Sequence, residues 1–97
     1  MIVQVSHQAR EDLLNADQYY CEINSLLAEQ LLQEFDFLLK IIGQHPESGI
    51  PFRKKCRLFP LQNFPYMIIC RQRKECVDVI GFIHNDRHPK HRVRSRK

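Results

Sequence analysis

The chain has 97 residues, a formal net charge of +4 and 43% hydrophobic residues against 27% charged. That length holds one small core, and the expectation is a single domain over residues 1–97. The composition excludes collagen, repeat arrays and secreted disulfide miniproteins and argues against disorder, and no apolar run nears the ~20 residues of a membrane helix. The first six residues are too short for a signal-peptide core, with Glu11 and Asp12 close behind, so the chain is read as soluble and cytoplasmic.

Ile2 to Val5 is a short β-prone run. Ser6 follows as a helix N-cap, because its hydroxyl accepts from a free amide at a helix start. Ala9, Leu13, Ala16 and Tyr20 then recur at spacings of four, three and four, one apolar stripe on a helix, with Arg10, Glu11, Asp12, Asn15 and Asp17 facing water. A break is expected near Cys21–Asn24. A second helix is predicted from about Ser25 to Ile42, carrying Leu27, Leu31, Phe35, Leu38 and Ile42, with Ala28, Leu32 and Leu39 widening the stripe. Gly43 is expected to end it in a left-handed cap, with Pro46 just beyond. The two helices read as an antiparallel hairpin.

Beyond Gly49 and Pro51 the pattern changes to β-branched and aromatic runs. Strands are predicted over Lys55–Phe59, Phe64–Arg71 and Val77–Ile83, separated by turns at Pro60–Asn63 and Gln72–Glu75. Pro65 lies near the start of its strand, where a missing amide is tolerated. The pattern β-α-α-β-β-β defines an α+β domain: an N-terminal strand, a helical hairpin and a three-stranded antiparallel meander, with the helices on one face of the sheet. The first strand is free to join the meander's edge. From about His84 to Lys97 runs a basic tail with six Lys or Arg, three His and one acid.

The charge is segregated. Residues 1–51 hold two bases against eight acids, a net −6; residues 52–97 hold thirteen bases against three acids, a net +10. One surface is therefore expected to meet something anionic: nucleic acid, an acidic protein segment or an anionic membrane. The four cysteines show no C-x-x-C spacing and no mark of secretion, so Cys56 and Cys70 are read as small buried hydrophobes and no metal site is expected.

Two candidate sites emerge. Arg53, Lys54, Lys55 and Arg57 form a basic cluster, and Lys55 and Arg57 would share one strand face. With Arg71 and Arg87 they would line a concave basic surface able to hold a target protein or RNA through charge and Arg forks. The competing reading is a polar face that keeps a sheet edge soluble. The second candidate is His84, His88 and His91 beside Arg87. Metal-free RNA cleavage needs a base for the 2′-hydroxyl, an acid for the leaving oxygen and cations on the phosphorane, and His and Arg supply all three; the competing reading is solvated tail histidines. Phe64 and Tyr66 are read as core rather than as a base-stacking platform.

Several short patterns occur in a particular order along the chain. They are Ala9-x3-Leu13 with Tyr19-Tyr20, Ile42-x2-His45-Pro-Glu-x-Gly49, Arg57-x-Phe59, Phe64-Pro-Tyr-x-Ile68 with Arg71, and Val79-Ile-x3-His84-x2-Arg87-x-Pro89. The set resembles the RelE/ParE superfamily of toxins from type II toxin–antitoxin modules, which includes plasmid-stabilisation proteins. The resemblance implies a cytoplasmic toxin without cofactor, neutralised by a cognate antitoxin. It implies one of two actions: ParE-like inhibition of DNA gyrase by binding, or RelE-like metal-independent cleavage of mRNA on the ribosome. A RelE-like site would draw on Lys54, Lys55, Arg57 and Arg87, with His88 or His91 in place of the C-terminal tyrosine that this tail lacks. The His84-x2-Arg87 ending and the Phe-Pro-Tyr strand resemble the ParE-like branch more closely. A plain nucleic-acid-binding module is the reading outside the family.

Overall fold

A computed structural model describes residues 1–87. Strand β1 covers Ile2–Val5, helix α1 His7–Ile23 and helix α2 Ser25–Gln44. A 3-10 turn over Pro46–Ser48 leads to β2 (Ile50–Pro51), followed by β3 (Cys56–Pro60), β4 (Tyr66–Gln72) and β5 (Cys76–His84), and a 3-10 turn over Asn85–Arg87 follows. The α+β architecture expected from the sequence is present, with both helices against one face of the sheet.

The first helix starts as its sequence dictates: Ser6 Oγ accepts from the Ala9 amide at 3.1 Å. The hairpin turn is tighter than the four-residue break expected. Only Asn24 separates the helices, and it serves both. Its N–H donates to Tyr20 O at 2.8 Å, ending α1, while its side chain accepts from the Leu26 amide at 2.8 Å, starting α2. An extended Asn with a short polar side chain can close one helix and open the next.

Gly43 departs from expectation. It is not a left-handed cap: α2 runs through it to Gln44, and His45 is the terminal residue, with φ −139°. Gly43 is suited to that place by close approach. A Cβ there would sit 3.2 Å from Met1 O and 3.3 Å from Val3 Cγ2, and the Met1 ammonium donates to Gly43 O at 2.7 Å.

The five strands form one sheet in the order β1-β5-β4-β3-β2. The meander β3-β4-β5 is antiparallel as predicted, and β1 joins it parallel to β5, pairing Val3 with Val77 and Val5 with Val79. The two-residue β2, absent from the sequence reading, pairs Ile50 with Leu58 and Pro51 with Arg57. Two residues carry too little periodicity to register. Lys55 lies outside the strand predicted for it, in the turn before β3 at φ 60°.

The core fills the space between hairpin and sheet. Ala9, Ala16, Leu31, Phe35 and Ile42 from the helices meet Phe59, Ile68, Cys70, Val77, Val79 and Phe82 from the strands. The small Ala9 and Ala16 let α1 approach the sheet. Leu32, expected to widen the buried stripe, is exposed instead. All four cysteines are free; Cys70 is buried and Cys56 half-buried.

One irregularity decides which side chains the end of β5 turns toward the helices. The β4–β5 register slips between Ile69 and Cys70: Cys70 pairs with Val79 but Ile69 pairs with Gly81, leaving Ile80 as an extra residue. Such a bulge inverts strand alternation. Val77 and Val79 point to the helices before it, and Phe82 belongs to the same core after it. The parity change brings His84 to the helix-facing side.

Candidate functional site

The end of β5 passes β1 and runs on alongside α1. Asp12 Oδ2 on α1 accepts from the Phe82 amide at 3.3 Å, so a helix carboxylate satisfies a strand N–H beyond β1. Next to this contact opens a cavity of about 490 Å³ between α1 and the β4–β5 end, lined by Tyr19, Tyr66, His84, Asp86 and Arg87 among others.

Each wall has a fixed position. Tyr66 lies flat on Phe82, with centroids 4.9 Å apart and planes 8° apart, and Phe82 meets Phe35 edge-on at 5.4 Å. His84 stands edge-on to Tyr66 at 5.2 Å. The chain then turns sharply: Asn85 N–H donates to Pro65 O at 2.8 Å, and the Asp86 amide donates to His84 Nδ1 at 3.1 Å. That bond holds the imidazole in place at the turn. The Asp86 carboxylate lies 3.6 Å from the same nitrogen. Arg87 ends the turn exposed, on a short pinned segment.

Burial pushes the Tyr66 phenol above its ordinary value and Tyr19 adds to the rise, while nearby Arg87 works against it. The Tyr20 phenol is raised by burial and by Tyr66 and Tyr19. Both phenols are therefore neutral hydrogen-bonding groups near pH 7. Tyr19 is 57% exposed, an aromatic ring left in solvent at the cavity mouth.

The other sequence-predicted cations are elsewhere. Arg53, Lys54 and Lys55 occupy the turn between β2 and β3, and Arg71 lies near the far end of β4. Arg71 pairs with Asp78, whereas Tyr66 pairs with His84, so five strand residues, about 17 Å, separate Arg71 from the cavity. Alternation also puts Arg71 on the sheet face opposite Cys70 and the helices. Arg57 is tied to its own chain at one nitrogen: its Nη1 donates to Gly49 O at 2.8 Å. The single concave surface uniting Arg53, Lys54, Lys55, Arg57, Arg71 and Arg87 is thus not formed. Strand direction places Arg87 at one end of the sheet and the remaining cations at the other. His88 and His91 lie outside the described residues.

Sequence reasoning missed the aromatic side of the site. Phe64 is core, as read, but Tyr66 is half-buried and lines the cavity. Its signal was present in the Tyr19-Tyr20 pair: half-buried Tyr20 stands edge-on to Tyr66 at 6.3 Å, and exposed Tyr19 lines the same cavity.

The arrangement is an α-hairpin on a mixed sheet with an Arg-ended turn after the last long strand, the small-toxin fold to which the sequence patterns pointed. The family model for the ParE toxin of type II toxin–antitoxin systems (parDE) matches residues 3–89, and the chain belongs to that family. A solved structure described as the chromosomal ParDE TA system from P. aeruginosa superposes with a TM-score of 0.76 over 87% of this chain and 95% of that one, at 16% identity, which shows a shared fold. No curated protein matches the sequence. The chain is therefore a type II toxin component of the RelE/ParE superfamily. Among the described residues, no helix is long and apolar enough to cross a membrane.

Proposed function

We propose that this toxin component acts in the cytoplasm by binding a protein target such as DNA gyrase through the Arg87 cavity, and that a cognate antitoxin neutralises it. The observation that carries this reading is the composition of the cavity mouth: Tyr19, Tyr66 and Arg87 converge on rigid elements. Tyr and Arg are the residues that dominate protein–protein hot spots, because each combines a large contact area with polar reach. The carboxylates of Asp12 and Asp86 line the same cavity. They oppose a phosphate ligand and suit a protein surface with basic or amide groups. The antitoxin is expected to carry an acidic segment, since the C-terminal half of this chain has a net charge of +10.

A second reading has its own observation in favour. Tyr66, His84 and Arg87 share one cavity, and a phenol, an imidazole and a guanidinium together can supply the acid, the base and the cation that metal-free RNA cleavage needs. One experiment separates the two. The chain is induced without its antitoxin, and its effect is measured in parallel on gyrase supercoiling and on ribosome-bound mRNA. Loss of supercoiling with intact mRNA is the expected result. Cleaved mRNA with normal supercoiling would replace the first reading by the second, and co-expression of a cognate antitoxin should restore growth in either case.

A further inference from the structure

At the end of the sheet away from Arg87, two turns converge on a second cavity of about 620 Å³, lined by Lys55, Arg71, Gln72, Arg73 and Lys74. We propose that this cavity is a phosphate-backbone contact site for double-stranded DNA, separate from the Arg87 cavity.

Four of its five lining side chains are cationic and the fifth is an amide. None is apolar or aromatic. A protein partner held there would lack the buried anchors that supply most interface affinity. Single strands are gripped by rings on which bases stack, and the lining offers none. A duplex, whose bases are hidden and whose surface is a row of phosphates, needs what is present: cations and hydrogen-bond donors on a fixed frame.

The frame is fixed by the backbone. Gln72 N–H donates to Lys55 O at 2.7 Å, tying the β4 end to the β2–β3 turn. The turn is closed by Cys56 N–H on Arg53 O at 2.9 Å, and Lys55 takes the left-handed conformation there. On the other side Arg73 N–H donates to Cys76 O at 2.8 Å. Only Arg73 of the lining cations has a carboxylate partner among the described residues, Asp78 at 3.0 Å. Lys55, Arg71 and Lys74 have none, and Arg53 and Lys54 extend the cationic strip along the same turn.

The test is fluorescence anisotropy of the full-length chain with a labelled 20-base-pair duplex, titrated from 50 to 200 mM salt. The variant is Arg71→Gln/Lys74→Gln, which leaves the turn around Lys55 untouched. Each lost phosphate contact should reduce the slope of log K against log salt by about 0.9, so the double variant should lose about 2 from its slope and at least tenfold in affinity at 100 mM salt. Comparison with wild type isolates these two residues from the basic stretch beyond residue 87. Lys40→Gln, an exposed cation on α2, should leave the slope unchanged, and so should Arg87→Ala. An unchanged slope in the folded double variant would overturn the proposal. So would tighter binding of a poly-glutamate peptide than of the duplex at equal salt, which would make the strip an acidic-peptide site. Equal loss for a single-stranded probe of the same length would remove the duplex assignment.

Discussion

Replacing Gly49 by Ala should cost about 2 kcal/mol of stability, through packing alone. Gly49 has φ −73° and ψ 165°, an extended conformation that alanine adopts freely, so no backbone strain is involved. The added methyl would lie 2.6 Å from Phe59 Cε1 and Cζ and 2.9 Å from Arg57 Cβ. Carbon pairs rest at about 3.5–4.0 Å, so the ring has to withdraw by roughly 1 Å. Phe59 is 5% exposed and belongs to the core, and it has no free end to swing aside. Overpacking of this kind costs about 1–3 kcal/mol. Moving the Gly49 backbone also strains the Arg57 Nη1–Gly49 O bond, a contribution of about 0.5–1.5 kcal/mol. Stiffening of the unfolded chain by alanine returns about 0.4–1 kcal/mol.

The assay is urea denaturation of the purified chain. With a slope of about 1–1.5 kcal/mol/M, the midpoint should fall by about 1.3–2 M. Phe59→Leu removes the ring atoms that the methyl meets. It should therefore cost less in the Gly49→Ala background than in wild type, with a coupling above about 0.5 kcal/mol. A Gly49→Ala midpoint at or above wild type, or strict additivity with Phe59→Leu, would refute the reasoning. The same geometry gives a physical reason for the pairing of Pro46-Glu-x-Gly49 with Arg57-x-Phe59: the glycine leaves room for the ring and offers its carbonyl to the guanidinium.

Phe35→Ala should cost about 3–5 kcal/mol in the same melts, because Phe35 is 3% exposed and supports Phe82 beneath Tyr66; a neutral result would mean the helix face is wrongly assigned. Burial raises the Cys70 thiol from an ordinary 9.0 to about 12. The unfolded chain then deprotonates first, so this contribution is intact below pH 9 and is lost as pH rises toward 12, by at most about 1.4 kcal/mol per unit. Urea midpoints from pH 8 to 10.5 should fall, more steeply in wild type than in Cys70→Ala; parallel curves would contradict it. Arg87→Ala should abolish growth inhibition while shifting the melting temperature by no more than about 3 °C, since the side chain is exposed. Rescue by Arg87→Lys would show that charge suffices, and full toxicity of the folded Ala variant would remove Arg87 from the site.

The sequence by itself determined the elements and their layers. The stripe Leu31, Phe35, Ile42 has helical spacing wherever it lies in space, and the β-branched and aromatic runs around Ile68 and Val79 favour strands for an equally local reason. Ser6 capped α1 because capping involves only neighbours. The charge segregation was also legible, since it needs only counting.

What the tertiary structure decided was everything that depends on distant residues. Gly43 looked like a helix end from its conformational freedom, but α2 continues through it to Gln44, and the missing Cβ leaves room for Met1 and Val3. Lys55 looked like a strand residue, but a turn closed by Cys56 and Arg53 holds it at positive φ. The cations from 53 to 87 looked like one surface because they are near in sequence. Antiparallel pairing sent Arg71 and Arg87 to opposite ends of the sheet. Above all, the extra residue at Ile80 inverted the alternation of β5. A bulge is a property of two paired strands, so neither strand's sequence displays it alone. That inversion turns His84 toward the helices, where Tyr19, Tyr66 and Arg87 complete the cavity.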